Sequence, residues 1–228
     1  MSAKQLFIVG TGTDVGKTYV SGQILKSLIG SGRRAAYFKP AMSGNASDAS
    51  GRPLPGDAIA ALGIAGSDQP ASSACSFVYE NAVSPHLAAR WEGRPFDPTV
   101  AKRTLDALAS EYDYVLAEGA GGVTCPMIID GERQLLLLDL IAEWGIPCLL
   151  VADAGLGTIN YVALTAWTLK ARGIPLKGVI LNRWTGDPMQ QDNAVQCARL
   201  SGAPVLGTVA EDAGLVGIGP DALAALFN

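Results

Sequence analysis

The segment Gly10-Thr11-Gly12-Thr13-Asp14-Val15-Gly16-Lys17-Thr18 sets small residues, a lysine and hydroxyls directly after the apolar run Gln5–Val9. That mixture suits a triphosphate. Glycines let the backbone turn tightly and bring its N–H groups close to an anion. The start of a following helix adds further donors. Lys17 is placed for the β- and γ-phosphates, and Thr18 for a hydroxyl on Mg²⁺. The spacing is not the usual one, in which four residues separate the first glycine from Gly-Lys-Thr. Thr11 holds that glycine position, and five residues separate Gly10 from Gly16. A plain Gly/Thr-rich turn is the bland alternative. The strand before the loop and the Gly-Lys-Thr after it favour nucleotide binding through Gly12, Thr13, Asp14, Val15, Gly16, Lys17 and Thr18.

Three more charges stand at the ends or starts of elements. Glu118 closes the apolar run Tyr114-Val115-Leu116-Ala117. A carboxylate there needs a partner, because an isolated buried charge is very costly, and Mg²⁺ or its water would supply one. Lys39 closes Ala36-Tyr37-Phe38; it could snorkel to solvent, but the following Pro40 and a place beside the first strand favour a ligand role. Asp57 begins a helix, where capping and ligand binding are equally good explanations. The single histidine, His86, falls in a first helical turn and suits packing or capping better than base catalysis. Trp91, Trp144, Trp167 and Trp184 fit a core or an interface.

The elements that must position these groups are short apolar runs alternating with helical segments. Strands are expected at Gln5–Val9, Ala35–Lys39, Tyr114–Glu118, Cys148–Ala152, Gly178–Leu181 and Pro204–Val209. Their continuous hydrophobicity suits parallel strands covered on both faces. Helices are expected at Gly16–Gly30, Asp57–Leu62, Pro85–Glu92, Thr99–Glu111, Leu135–Trp144, Thr158–Arg172, Met189–Ser201 and Asp221–Phe227. The polar stretch Ser43–Pro55 reads as a surface loop. Such alternation implies one α/β domain over residues 1–228: a doubly wound, mostly parallel sheet with helices on both faces, of phosphate-loop NTPase type. In these sheets ligands sit beyond the carboxyl ends of the strands. Gly10, Lys39, Glu118, Asp153 and the pair Asn182-Arg183 all fall there.

Bulk properties narrow the partners. A hydrophobic share of 49% argues against disorder, and a formal charge of −4 gives no reason to expect nucleic acid or an anionic membrane. Cys75, Cys125, Cys148 and Cys197 are too scattered for a zinc site and are expected as reduced, mostly buried thiols. With no apolar run long enough for a bilayer and the first strand starting at once, a cytoplasmic protein without signal peptide is expected.

The chain resembles the dethiobiotin synthetases. The matching pieces are the lengthened loop Gly10–Thr18, Lys39-Pro40-Ala-Met-Ser43-Gly44, Asp57-Ala58, Ser84-Pro85-His86 and Glu92-Gly93-Arg94-Pro95. Glu118-Gly-Ala-Gly-Gly122, Leu156-Gly-Thr-Ile-Asn160 and Gly178-Val-Ile-Leu-Asn182 complete the set. The resemblance implies an enzyme that turns 7,8-diaminopelargonate, CO₂ and ATP into dethiobiotin, ADP and phosphate. It implies Mg²⁺ among Thr18, Asp57 and Glu118, with Lys17 and Lys39 neutralising the transferred group. Thr13, Lys39 and Ser43 would hold the diamine or its carbamate, and Asn182 would read adenine. The family acts as a homodimer, so Gly157 and Asn160 at a helix start become candidates for the substrate's remote carboxylate, across the dimer. Partition-type ATPases share the loop and sheet but usually carry a second early lysine, where this chain has Thr11 and Thr13. Related amidating synthetases need a long glutaminase domain that this chain has no room for.

Overall fold

The computed structural model describes residues 3–131, 133–210 and 214–227. Strands β1 (Lys4–Gly10), β2 (Ala35–Met42), β3 (Cys75–Val78) and β4 (Tyr114–Gly122) come from the first half. After the hairpin β5 (Pro126–Asp130) and β6 (Arg133–Leu136) follow β7 (Cys148–Asp153), β8 (Leu176–Asn182), β9 (Val205–Ala210) and β10 (Gly214–Val216). The helices are α1 (Lys17–Gly30), α2 (Gly56–Ala65), α3 (Pro85–Trp91), α4 (Pro98–Glu111), α5 (Leu137–Trp144), α6 (Thr158–Ala171), α7 (Pro188–Ser201) and α8 (Pro220–Ala224). Among the described residues the main sheet has the order β10-β9-β8-β7-β1-β4-β2-β3, parallel except for β10. The expected doubly wound α/β architecture is present, with helices against both faces.

Strand parity decides what faces what. Side chains alternate across a strand, so β1 sends Phe7 and Val9 into one core and Leu6 and Ile8 into the other. The first core is closed by α4, α5 and α6, through Leu105, Leu140 and Val162 among others. The second is closed by α1 and α2, through Val20, Ile24, Ala58 and Leu62. On β2, Ala35 and Tyr37 lie on the α1/α2 side, and on β4 so does Leu116. Lys39 and Glu118 are the next residues of the same parity. The two strands run parallel with Phe38 opposite Ala117, so Lys39 and Glu118 arrive side by side one step later. Two charges thus emerge where the sheet meets α1 and α2.

The expected strands run longer than anticipated at their functional ends, β2 to Met42 and β4 to Gly122. Strands β3 and β10 were not expected, being short and peripheral. The helix expected over Leu135–Trp144 begins only at Leu137. Leu135 and Leu136 instead pair with Ile128 and Pro126, and the Asp139 carboxylate accepts the Leu136 N–H at 2.8 Å, fixing the helix start. Ser43–Pro55 is a loop as expected, with one bridge between Ser47 and Pro53.

Helices α1 and α2 touch through Gly22. A Cβ there would stand 2.8 Å from Ile64 Cβ and 3.0 Å from the Ala61 carbonyl oxygen. This close approach sets how far Asp57, at the start of α2, lies from Thr18, at the start of α1. Gly22→Val is therefore expected to lose about 1–3 kcal/mol by overpacking, because a β-branched residue recovers little helix propensity. Thermal unfolding should show Tm lower by roughly 2–10 °C. An unchanged Tm would contradict this packing.

Candidate active site

The phosphate loop leaves β1 at Gly10 and enters α1 at Lys17, with Gly16 in the left-handed region at φ 93°. Lys17 folds back over the loop, its Nζ donating to the Gly12 carbonyl at 2.8 Å. It is 7% exposed. Burial, and then the neighbouring Lys39 charge, push its pKa below the usual lysine value, while Glu118 and Asp57 pull it back up. The lysine thus waits in a position where a phosphate anion would stabilise its charge.

A carboxylate network lies directly beneath. Glu118 has no exposed surface. Its Oε1 accepts from Thr18 Oγ1 and from Lys39 Nζ, each at 2.8 Å, and its Oε2 accepts from Ser21 Oγ at 2.8 Å. Lys39 Nζ also donates to Asp57 Oδ2 at 2.6 Å. Desolvation acts to lower the Lys39 pKa, but the two carboxylates outweigh it and hold the ammonium above its ordinary value. Lys39 does not snorkel, being 4% exposed. Asp57 caps nothing; its helix has Pro55 at the N-cap with no side-chain cap bond. The phenol of Tyr37 is fully buried nearby, and burial followed by the Glu118 and Asp57 charges drives its pKa well up.

These groups floor one cleft of about 1030 Å³. Thr13, Asp14, Gly16, Lys17, Thr18, Lys39, Ser43, Asp57 and Glu118 all line it. Gly12 and Val15 face a smaller cleft of about 270 Å³ on the other side of the loop, shared with Asp153 and Thr158. Asn182 is not a wall of the large cleft; its Nδ2 is committed to the Val15 carbonyl at 3.0 Å. Gly157 and Asn160 are exposed and line neither cleft. Within one chain they are not brought to the other candidates. Residues 211–213, after the last parallel strand, lie outside the described residues.

The donor set fits magnesium. Thr18, Glu118 and Asp57 offer oxygen atoms alone, as a hard cation requires. Among the described residues no group of three or more His, Cys, Asp or Glu forms a cage of its own. That is the pattern of Mg²⁺, which is held by one or two carboxylates and completes its shell with phosphate and water.

Two residues of the site, Ser21 and Cys125, were missed. Ser21 stands one helical turn after Thr18, a spacing that puts both hydroxyls on one face and was readable. Cys125 lines the cleft through the turn after β4, which no local pattern announces, while Arg183 lines it from the strand end where polar groups were expected to gather. Ser84 stands at the N-cap of α3 without a side-chain cap bond; its Oγ pairs with His86 Nδ1 at 2.9 Å, and it lines the same cleft.

Comparison with known proteins places the fold first. A family model described as an AAA domain matches residues 4–218. The ParA family ATPase of Chlorobium tepidum superposes with a TM-score of 0.56 at 14% identity, over 93% of this chain and 86% of that one. MinD, the cell division ATPase of Pyrococcus furiosus, gives 0.53 at 17% identity, over 98% and 96%. At such identities the likeness concerns the fold, and fold with loop define a phosphate-loop NTPase. Sequence relatives are more specific. The ATP-dependent dethiobiotin synthetase of Brachyspira hyodysenteriae is 38% identical, covering 91% of this chain and 92% of its own length. That of Clostridium kluyveri is 37% identical over 90% and 84%. The chain belongs to the dethiobiotin synthetase family and is an ATP-dependent ligase.

Removing one side of the buried ion network should be worse than removing both. Lys39→Met leaves Glu118 with no cation and is expected to lose about 3–5 kcal/mol of stability. Adding Glu118→Gln to Lys39→Met should recover part of that loss. Denaturant unfolding of the two single variants and the double variant checks this; additive losses would mean that the pair is not coupled.

Proposed function

We propose that this chain carboxylates 7,8-diaminopelargonate with CO₂ and closes the ring at the expense of ATP, giving dethiobiotin, ADP and phosphate. The observation that carries the reading is the Thr18–Glu118–Lys39–Asp57 network, built around the buried Glu118 and Lys39 and set one residue from the phosphate-loop lysine. The names of the relatives supply the product.

The chemistry begins with a neutral amine of the diamine attacking CO₂, forming an N–C bond and releasing a proton. Lys17 and Lys39 favour the neutral amine by depressing its pKa, since like charges disfavour protonation. A carbamate oxygen then attacks the γ-phosphorus, and the bond from that phosphorus to the β,γ-bridging oxygen breaks to release ADP. Two anions must meet in this step. Lys17 at the phosphates and Lys39 beneath them offset that repulsion without reorganising, because their positions are already fixed by hydrogen bonds. Mg²⁺, held by Thr18, Glu118 and Asp57, would neutralise charge on the phosphate oxygens. The second amine then attacks the carbamoyl carbon of the mixed anhydride, closing the ureido ring and expelling phosphate. Thr13 and Ser43, at the rim of the same cleft, orient the diamine. Asn182 keeps its side-chain oxygen for the adenine amino group while its nitrogen holds the loop.

A homodimer completes the site in this reading. Tyr161, Leu164 and Trp167 expose 50–56% of their surface along α6, and Leu156 exposes 91% in the loop just before it. A second copy covering that apolar stripe would bring Gly157 and Asn160 to the partner's cleft, where the α6 start can receive the substrate's carboxylate.

Phosphate release with Mg-ATP and bicarbonate tests the activity. It should depend on added 7,8-diaminopelargonate and yield dethiobiotin by mass spectrometry; diamine-independent hydrolysis would point to a switch ATPase instead. Lys17→Ala should lower turnover by at least about 10²-fold with little change in Tm, as loss of a charge-stabilising group does. Mixing Lys17→Ala chains with Asn160→Ala chains should restore activity in verified heterodimers. Heterodimers as inactive as their parents would rule out the shared site.

A further inference from the structure

We propose that Arg183 is a positioning residue for the phosphate-binding backbone, working through the peptide of Asp14, a role that rests on the nucleotide reading above. Among the described residues, two non-glycine residues have positive φ: Asp14 at 59° and Arg183 at 57°. Such conformations are strained for residues with a Cβ and persist where the surroundings hold them. These two hold each other. Arg183 Nη2 donates to the Asp14 carbonyl at 2.6 Å, while Nη1 donates to Asp153 Oδ2 at 2.6 Å. The next carbonyl, that of Val15, is taken by Asn182 Nδ2. Consecutive residues at the end of β8 therefore fasten consecutive carbonyls at the tip of the loop.

In a planar trans peptide the carbonyl and the following N–H point in opposite directions. Fixing the Asp14 carbonyl toward Arg183 thus aims the Val15 N–H the other way, and fixing the Val15 carbonyl toward Asn182 does the same for the Gly16 N–H. Neither N–H has a partner among the described residues. Successive N–H groups turned to one side make the nest an anion needs. Gly16 is required for the approach: a Cβ there would stand 1.9 Å from Asn182 Nδ2. The Arg183–Asp153 pair is 58% and 39% exposed, so it contributes little to folding. Its geometry, with one guanidinium bridging two acceptors, is one that lysine cannot copy.

Isothermal titration of MgATP into the full-length protein tests this. Arg183→Ala and Arg183→Lys should each weaken binding about tenfold, as loss of a charge-assisted hydrogen bond does, with Tm within about 3 °C of the parent and KM for the diamine unchanged. Asp153→Asn should move Kd in the same direction by a smaller factor. Glycine adopts φ near +60° without strain, so in an Asp14→Gly background the Arg183→Ala loss should fall to less than about threefold. Unchanged affinity in Arg183→Ala overturns the proposal, while normal turnover by the parent would leave the proposed activity standing. An undiminished tenfold loss in the Asp14→Gly background also overturns it, since Arg183 would then act on the nucleotide itself. A parent chain that binds no MgATP sinks the activity and this role together.

Discussion

A carboxylate with no exposed surface has to be answered inside the protein, and everything around Glu118 is arranged to answer it. Two hydroxyls from one face of α1 and the ammonium of Lys39 occupy both of its oxygens. Desolvating one of these charges alone would be prohibitive, but together their attraction and hydrogen bonds offset the loss of water. The network ties four elements at one point: β2, β4, the start of α1 and the start of α2. The arrangement is therefore at once a constraint on packing and a stock of oxygen and ammonium groups beside the phosphate loop. An incoming cation or triphosphate would meet groups that are already oriented, and pre-orientation is what lets electrostatic stabilisation act without reorganisation.

Much of this was legible in the residues. Glu118 and Lys39 each end a run of apolar residues, and a charge in that position is out of place unless it is used. Strand alternation then puts both on the α1/α2 side. The central parallel strands were readable because strands buried on both faces are continuously apolar. What could not be read was pairing. β3 and β10 are three or four residues long and owe their conformation to their neighbours. Leu135–Leu138 is an apolar run that fits strand or helix equally, and only the hairpin partner and the Asp139 cap divide it between Leu136 and Leu137. Arg183 was legible only as a polar residue at a strand end; its left-handed backbone and its hold on the Asp14 carbonyl were not.

The lengthened loop gives these observations a common physical origin. An extra residue between Gly10 and Gly16 must be absorbed without turning the N–H groups away from the anion. The chain absorbs it with two left-handed residues near the tip, Asp14 and Gly16. Glycine meets that demand freely, whereas aspartate does so under strain. A loop made this way needs outside support, and β8 is the strand whose carboxyl end reaches it, through Asn182 and Arg183. β8 is one strand removed from β1, and the strand between them, β7, supplies Asp153 to hold the arginine.

The same fold occurs in a ParA family ATPase and in the cell division ATPase MinD, at identities of 14–17%. The fold by itself therefore leaves the chemistry open, as folds generally do. In the proposed reading, the chemistry would be set by what surrounds the γ-phosphate. A switch ATPase needs water there and a partner to respond to hydrolysis. This cleft instead offers a second buried lysine, a deep floor of paired charges, and a rim of small hydroxyl residues at Thr13, Ser43 and Ser84. A lysine held by two carboxylates can offset an anionic nucleophile while staying charged through ordinary pH, which water would not require. In the proposed reading, paired charges of this kind would serve to bring a carboxylate-like anion to a phosphate, a task that activating a neutral water does not pose.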